Sequence, residues 1–309
     1  MDDPLTELRC ACAEVARRAR YVAVDRHAIG RYAAALPLSR DPGAPDPEVH
    51  LVGRRRDELA AFWLTLDAIN FGSGWFPTLR KRGGRSGYFT VAGGIRERFE
   101  AHGPWTAPEL AKLDVAELAG ALGQDPGHEL MGLFARSLRD LGAHITRDYD
   151  GRFGAVIDGA ADSAATLVTT LARWHCFEDT SHYEGIPVPF LKRAQITAAD
   201  LSLAGVARFD DLGRLTLFAD NLVPHVLRLD GVLGFVPTLV ERIERGELIE
   251  HGSPEEVEIR ACAVHAVELI VVARRGRVSA AEIDRLLWDR GQKARYKARP
   301  RHRSRCTAY

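Results

Sequence analysis

Apolar residues recur at the spacing of an α-helix along most of the chain, and this periodicity restricts the possible folds more than any other feature. Between residues 4 and 20, Leu5, Leu8 and Ala11 follow one another at intervals of three, which predicts an amphipathic helix. Residues 57–69 are apolar almost all round, which is typical of a buried helix. Further helices are predicted over residues 24–36, 91–141 (with breaks at 103–104 and 125–127), 160–174, 190–206, 235–245, 254–274 and 279–290.

The rest of the chain is predicted to form loops and a small amount of β structure. Residues 37–47 contain four prolines and a glycine, which predicts a loop. The mixed stretch 175–188 predicts a small β excursion, and residues 50–52 a short extended piece. Because no repeat or linker interrupts the chain, we expect one mainly α domain spanning residues 1–309.

The stretch 78–90 combines three glycines with four basic residues and has two interpretations. A small hairpin turning at Gly83-Gly84 is favoured, because Gly-Gly is a common turn signal. The alternative is a loop whose backbone N–H groups hold a phosphate. The glycine spacing matches neither the Walker loop nor the dinucleotide-binding fingerprint.

Charge balance and cysteine spacing argue against several classes of protein. The 42 Lys and Arg residues equal the 42 Asp and Glu residues, so the chain is a poor candidate for non-specific nucleic-acid binding, which depends on phosphate neutralisation. No apolar run approaches the roughly 20 residues that a membrane-spanning helix needs. The five cysteines form no CxxC pair, and the first residues do not read as a signal peptide. We therefore expect a cytoplasmic protein with reduced thiols and no zinc site.

Asp220 is the one charged residue in the apolar run 215–227. It precedes Pro224, and either Asp220 or Asn221 could cap a helix that has the proline in its first turn. A carboxylate at a helix start is stabilised by free N–H groups and by the helix dipole, so capping is the favoured interpretation of these residues alone. A catalytic carboxylate in a dry pocket is the alternative.

Lys192 lies in the predicted helix 190–206 with apolar neighbours on both sides. A lysine in such surroundings is unusual unless it is paired or functional. A surface lysine that extends its charged end to water is an equally good interpretation. If this helix packs against the turn at Asp220, the two charges would form a couple in which each keeps the other ionised.

A metal site is not expected. Glu258, Cys262, His265 and Glu268 are spaced at intervals of four, three and three on one predicted helix. Helical bundles hold metals with such residues, but a second helix with a matching pair is missing, and buried His and Glu side chains more often satisfy one another. The basic tail 293–305 has two interpretations, nucleic-acid binding or packing against the domain.

Several short motifs follow one another in a fixed order from about residue 50 to residue 306. They are Asp67-Ala68-Ile69-Asn70-Phe71, Ser86-Gly87-Tyr88, Leu191-Lys192-Arg193-Ala194-Gln195-Ile196, Leu215-Thr216-Leu217-Phe218-Ala219-Asp220, Glu256-Val257-Glu258-Ile259-Arg260-Ala261-Cys262, Leu287-Trp288-Asp289 and His302-Arg303-Ser304-Arg305-Cys306. As an ordered set they resemble the queuosine salvage family, the queuosine 5′-phosphate N-glycosylase/hydrolases.

The resemblance implies a helical fold similar to that of DNA glycosylases. It also implies cleavage of the N-glycosidic bond of queuosine 5′-monophosphate, which releases queuine for reuse in transfer RNA. Asp220 takes the position of the catalytic aspartate and Lys192 that of the active-site lysine. Lys192 would orient the ribose hydroxyls, hold Asp220 or donate to the base. The residues expected to contact the substrate are His50, Asn70, Phe71, Ser73, Tyr88 and Arg193.

Further expectations follow from this resemblance. Phe71, Tyr88 or Trp75 would stack on the flat base, and Arg193 or the basic loop 80–85 would bind the 5′-phosphate. We expect no metal, no other cofactor, no direct contact with nucleic acid or membrane, and a monomer. A DNA base-excision glycosylase and a non-enzymatic queuosine-binding protein are the alternative functions. The free nucleoside and its 5′-phosphate both remain open as substrates.

Overall fold

The computed structural model describes residues 3–37 and 43–309, in which α-helices predominate and the strands are short. The helices are α1 (Pro4–Arg18), α2 (Arg26–Ala35), α3 (Arg56–Ala68), α4 (Gly87–His102), α5 (Ala107–Leu110), α6 (Val115–Leu122), α7 (Glu129–Asp148), α8 (Phe153–Asp158), α9 (Ala164–Leu171), α10 (Lys192–Leu203), α11 (Val223–Leu229), α12 (Pro237–Glu244), α13 (Pro254–Ala273), α14 (Ala280–Gly291) and α15 (Ala294–Lys297). The strands are β1 (Val22–Val24), β2 (Thr180–Tyr183), β3 (Ile186–Pro189) and β4 (Leu233–Phe235). This confirms the predicted mainly α fold with a small β part.

Two short antiparallel ribbons account for the strands. Strands β2 and β3 form a hairpin, which confirms the β excursion predicted at 175–188. Strands β1 and β4 pair although they are far apart in sequence, with Val22 opposite Phe235. This pairing explains why the helices predicted to begin at residues 24 and 235 begin at Arg26 and Pro237 instead. Local periodicity does not reveal such a long-range pair.

The hairpin predicted at 78–90 is wrong. Gly83 and Gly84 do form a turn with positive φ, but helix α4 begins directly after it at Gly87. A β-carbon on Gly87 would overlap the ring of Phe76, so this glycine allows a close contact between the helix start and the preceding turn. The short extended piece predicted at residues 50–52 forms no strand: a turn occupies residues 47–49, and residues 51 and 52 belong to no regular element. The loop predicted at 37–47 lies partly outside the described residues.

Two apolar cores meet around α10. One core is built on α3, α4, α7 and α9, and the other on α13 with α1, α2, α11 and α14. Helix α3 is buried on nearly all sides from residue 60 onward, as predicted for 57–69, and α10 packs against it. Among the helices that the structure describes, none is both long enough and apolar enough to cross a membrane.

The basic C-terminal segment packs against the domain, which confirms one of its two interpretations. The Asn221 side chain donates from Nδ2 to the His302 carbonyl at 3.1 Å, and the Gly72 amide donates to the Tyr309 carbonyl at 3.0 Å. His302, Ser304 and Tyr309 are buried. The segment therefore lies beside both the Asp220 turn and the turn that follows α3.

Candidate active site

Lys192 is the first residue of α10 and is buried, with 5% of its surface exposed. Its backbone N–H donates to Asp179 Oδ2 at 3.0 Å. Its ammonium group donates to the Asn70 backbone carbonyl at 2.8 Å and to Asn70 Oδ1 at 3.3 Å. The interpretation as a surface lysine is therefore wrong. Burial lowers the pKa of Lys192, and the charge of Asp220 opposes that shift.

Asp220 lies three residues before α11 and is partly buried. Its Oδ1 accepts hydrogen bonds from the Leu222 amide at 2.7 Å and the Val223 amide at 3.1 Å. The cap position of α11 is Leu222, so the prediction that Asp220 or Asn221 is the N-cap is wrong, although the Asp220 carboxylate still holds the two amides at the start of the helix. The Oδ2 atom accepts no hydrogen bond from the residues that the structure describes, so one oxygen fixes the carboxylate and the other is available for chemistry.

Lys192 and Asp220 come together, but not as the direct couple that the sequence suggested. Asp220 is the carboxylate with the largest favourable effect on the charge of Lys192. The two side chains nevertheless form no ion pair within 4 Å in the described part of the chain, because the ammonium group is bound to Asn70. The ammonium nitrogen and the carboxylate oxygens are therefore more than 4 Å apart.

Arg260 connects the backbones that carry Asp220 and Lys192. It is fully buried in α13 and donates two hydrogen bonds to Asp179, at 2.9 and 2.8 Å. Its Nε donates to the Ala219 carbonyl at 2.9 Å. Because Asp179 also accepts from the Lys192 amide, one chain of hydrogen bonds fixes both candidate catalytic residues. The sequence contained Arg260 within a family motif but gave no signal for this role.

Three further carboxyl groups lie within electrostatic range of Lys192, and with Asp220 they form what we call the carboxyl cluster: Asp67, Asp200, Asp220 and Asp284. Neither oxygen of the buried Asp67 receives a hydrogen bond of ordinary geometry from the described residues. Asp284 accepts from the Phe218 amide at 3.1 Å through Oδ1. Asp200 is partly exposed and lies two helical turns after Lys192, on the same face of α10.

The carboxyl cluster is short of positive charge. Burial raises the pKa of Asp67 and that of Asp284, and the neighbouring carboxylates Asp200 and Asp220, respectively, raise them further. Burial also raises the pKa of Asp200 to about 7. A shift toward the neutral acid means that the surroundings do not fully compensate a negative charge. An added cation would therefore be stabilised here.

His50 and Tyr88 form a hydrogen-bonded pair at the edge of this region. His50 Nδ1 accepts from the Asp46 amide at 3.1 Å, and burial lowers the pKa of His50 to about 4. The ring is therefore neutral, with its hydrogen on Nε2, which donates to the Tyr88 hydroxyl at 2.9 Å. The hydroxyl hydrogen of Tyr88 is left for another acceptor. Burial raises the pKa of Tyr88, and the charges of Asp200 and Asp67 raise it further, so Tyr88 lies within electrostatic range of these two carboxyl groups.

Three of the residues predicted to contact the substrate are buried more deeply than such a contact requires: Phe71, Ser73 and Arg193. The Phe71 ring is buried edge-to-face against Phe134, at 5.0 Å between centroids, and the Arg193 guanidinium covers it at 5.1 Å. Arg193 donates to the Ala68 carbonyl at 2.7 Å, and Ser73 is also buried. Their contact with substrate stays a prediction, and this geometry favours a supporting role instead.

The basic loop 80–85 is already occupied by contacts within the protein. Arg82 pairs with Glu97 and Arg85 with Glu48. The Lys81 ammonium group donates to a backbone carbonyl, that of Phe76. A loop whose cations have these partners is a weak candidate for holding a phosphate.

The four residues weighed as metal ligands have other contacts. Glu258 accepts hydrogen bonds from the Tyr21 and Val22 amides, at 2.6 and 3.0 Å, and so holds the start of β1. Cys262 lies 3.6 Å from the Val22 carbonyl, and Glu268 is paired with Arg9. His265 is partly buried on the same helix. The residues on this face of α13 therefore serve the packing of the N-terminal segment.

Comparison with known proteins identifies the family. A family model described as queuosine salvage protein matches residues 50–309. A queuosine 5′-phosphate N-glycosylase/hydrolase of Sphaerobacter thermophilus is 36% identical over 311 residues, which cover 96% of this chain and 95% of the relative. Proteins of the same name from Bos taurus and Mus musculus are each 29% identical, and the alignments cover 100% and 96% of both chains. The chain therefore belongs to the queuosine salvage protein family.

Proposed function

We propose that this protein is a hydrolase that cleaves the N-glycosidic bond of queuosine 5′-monophosphate and releases queuine for salvage into transfer RNA. The observation that carries the proposal is the Asp220 carboxylate, which is fixed through Oδ1 and free at Oδ2 beside the buried Lys192. The curated relatives are named as queuosine 5′-phosphate N-glycosylase/hydrolases, which supports the same reaction here.

Asp220 would act at the anomeric carbon. Breaking the bond from ribose to base builds positive charge on the ribose, and a nearby carboxylate stabilises that charge. The free Oδ2 then attacks the anomeric carbon or accepts a proton from the attacking water. Overall, water supplies the hydroxyl group of the sugar product and the proton that the released base acquires.

Lys192 would position the sugar. Its ammonium group has three hydrogens, and the two hydrogen bonds to Asn70 leave one of them for a ribose hydroxyl. The absence of an ion pair with Asp220 among the described residues makes a purely charge-holding role the least supported of the three considered. Asn70 would thus act on the substrate through Lys192.

The carboxyl cluster suits the base of this substrate. Queuine is a 7-deaza base that carries a cationic amine, and the raised pKa values of Asp200 and Asp284 mark a place where a cation is stabilised. The position that a purine would protonate at N7 is a carbon in queuine, so help for the leaving base must reach N3 or the carbonyl edge. Tyr88, whose hydroxyl hydrogen is not used by His50, is the candidate donor.

The test is incubation of the purified protein with queuosine 5′-monophosphate while free queuine is followed by chromatography. Asp220→Asn keeps the shape and removes the charge, so we expect retained binding and loss of queuine release. Asp114→Asn is the matched control, because Asp114 caps α6 through its side chain far from Lys192, and asparagine caps equally well. An active Asp220→Asn protein would contradict the proposal.

Binding without release by the wild type would favour a queuosine-binding protein, and salt-dependent binding of duplex DNA would favour a DNA glycosylase. The proposal also includes a cytoplasmic monomer, and its five free cysteines suit a reducing compartment. Size-exclusion chromatography checks the oligomeric state.

A further inference from the structure

Arg301 differs from the other arginines of the C-terminal segment. The others each have a partner within the protein: Arg295 with Asp230, Arg299 with Glu244, Arg303 with the Gly246 carbonyl and Arg305 with Glu129. Arg301 is partly buried, and its guanidinium forms no hydrogen bond or ion pair with any residue that the structure describes. Burial of this cation lowers its pKa, which marks the charge as incompletely compensated.

The position of Arg301 is set by the contact between the C-terminal segment and the Asp220 turn. Asn221, which follows Asp220, donates to the carbonyl of His302, which follows Arg301. Asp220 is accordingly the carboxylate that most favours the charge of Arg301. The two groups are still more than 4 Å apart, because no ion pair joins them in the described chain. Arg301 therefore lies within electrostatic range of Asp220 but outside its hydrogen-bonding distance.

We propose that Arg301 binds the 5′-phosphate of the nucleotide and makes the enzyme prefer the nucleotide over the free nucleoside. This inference rests on the proposed function, in which Asp220 acts at the anomeric carbon. The anomeric carbon and the 5′-phosphate lie at opposite ends of one ribose. When the anomeric carbon is at Asp220, the phosphate is therefore near Asp220 but not in contact with it. The Arg301 guanidinium has the same relation to Asp220. The planar guanidinium presents paired N–H donors that match two phosphate oxygens.

The other cations considered for the phosphate are less suitable. Arg193 is buried against Phe71 and donates to the Ala68 carbonyl, and Arg85 is paired with Glu48. Each would have to give up an existing partner before it could bind a phosphate. Arg301 gives up none, and a bound phosphate would supply the acceptor that its partly buried charge lacks.

The experiment compares kcat/KM for queuosine 5′-monophosphate and for queuosine with Arg301→Gln, which keeps a polar side chain but removes the charge. A hydrogen bond to a charged group contributes about 1.5–3 kcal/mol. We therefore expect kcat/KM for the nucleotide to fall about 10- to 100-fold, mainly through KM, while the value for the nucleoside stays unchanged. Arg301→Lys, which keeps the charge without the paired donors, should lie between the two.

Arg303→Gln is the matched control, because Arg303 lies two residues away and its guanidinium donates to a backbone carbonyl, that of Gly246. Its preference for the nucleotide should equal that of the wild type. Equal losses on both substrates in Arg301→Gln would assign Arg301 to the fold or to the sugar and overturn the inference. An unchanged preference in Arg301→Gln would overturn it as well.

A wild-type protein that releases queuine from neither substrate would refute the proposed function and leave the phosphate site to be tested directly. Calorimetry with ribose 5-phosphate then provides the measurement. Binding by the wild type that Arg301→Gln loses, with both proteins showing the same melting temperature, would support the phosphate site. Equal binding by the two proteins, or binding by neither, would overturn it.

Discussion

Two groups of buried charges lie side by side in this molecule, and they are built in opposite ways. In the first, which we call the Arg260 network, Arg260 is paired with Asp179 and lies 3.8 Å from Glu256, which in turn pairs with His251 at 3.4 Å. In the second, the carboxyl cluster, Lys192 lies within electrostatic range of four carboxyl groups and forms an ion pair with none of them in the described chain.

The pKa shifts in the two groups run in opposite directions. Burial alone would raise the pKa of Glu256, but His251 and Arg260 lower it to about 2. The neighbouring Cys306 and Glu256 raise the pKa of His251 to about 10. In the carboxyl cluster, burial raises the pKa of Asp200 to about 7. The first group stabilises its own charges, whereas the second leaves its negative charges incompletely compensated.

Under the proposed function, this difference separates residues that hold the fold from residues that would bind substrate. The paired network reaches the candidate site through the Ala219 carbonyl and the Lys192 amide, so it positions Asp220 and Lys192 through the backbone. Under the proposed function, the unpaired cluster would cost stability and provide binding energy. Such a division is expected where a rigid support holds a site whose charges are left uncompensated.

The largest effect is expected from breaking the Arg260 network. Arg260→Ala leaves the buried Asp179 without its cation and Glu256 with His251 alone, and the loss of one partner of a buried pair costs about 3–5 kcal/mol of unfolding free energy. Urea denaturation measures this difference. Arg55→Ala is the control, because Arg55 is 85% exposed in its pair with Glu58 and should cost less than about 1 kcal/mol. Equal losses of unfolding free energy in Arg260→Ala and Arg55→Ala would show that the Arg260 network stabilises the fold no more than an exposed ion pair does.

A smaller and opposite effect is expected in the carboxyl cluster. Asp200→Asn removes an uncompensated charge, so the unfolding free energy at pH 7 should stay the same or rise by up to about 1 kcal/mol. Affinity for queuosine 5′-monophosphate should fall by about tenfold, as for the loss of one charged hydrogen bond. Affinity for guanosine 5′-monophosphate, which has no cationic amine, should not change. A loss of stability as large as that of Arg260→Ala would show that Asp200 supports the fold.

The pH dependence of stability gives a second measurement on the same variant. Because the pKa of Asp200 is raised to about 7 in the folded protein, the native state binds more protons than the unfolded state between about pH 4 and pH 7. Its contribution to stability is therefore complete at low pH and is lost as pH rises through about 7. Asp200→Asn should lack this decline when unfolding free energies are measured from pH 4 to pH 8, and an unchanged slope would contradict the shift.

The sequence predicted the helical fold well because apolar periodicity is a local property. It also pointed to Asp220, which stands in an otherwise apolar stretch, and to Lys192, since both lie in family motifs. It did not predict Asp284 or Arg301, because nothing in a local pattern shows that α14 and the C-terminal segment converge on α11. Asp200 could have been found, because its spacing of eight from Lys192 places both on one face of α10.

The wrong or weakened predictions have a common physical cause. Arg193 follows Lys192 directly, and the rotation of about 100° per helical residue turns it into the core beneath Phe71. The 78–90 hairpin was inferred from glycines, but Gly87 serves a contact with Phe76 that only the folded chain reveals. In both cases the sequence drew attention to the right residue, but a contact that exists only in the folded chain determines what the residue does.

The smallest effect is expected from Arg85, which belongs to neither buried group. Its pair with Glu48 is exposed, at 41% and 67% of the two side chains, and such pairs contribute between zero and about 1 kcal/mol. Arg85→Ala should therefore change kcat/KM for the nucleotide less than about twofold, against the much larger loss expected for Arg301→Gln. If Arg85→Ala instead raised KM tenfold for queuosine 5′-monophosphate and not for queuosine, the glycine-rich loop would be the phosphate site. An exposed, paired arginine would then bind the ligand more strongly than a partly buried, unpaired one. That result would contradict the distinction between paired charges, which support the fold, and unpaired charges, which are proposed to bind substrate.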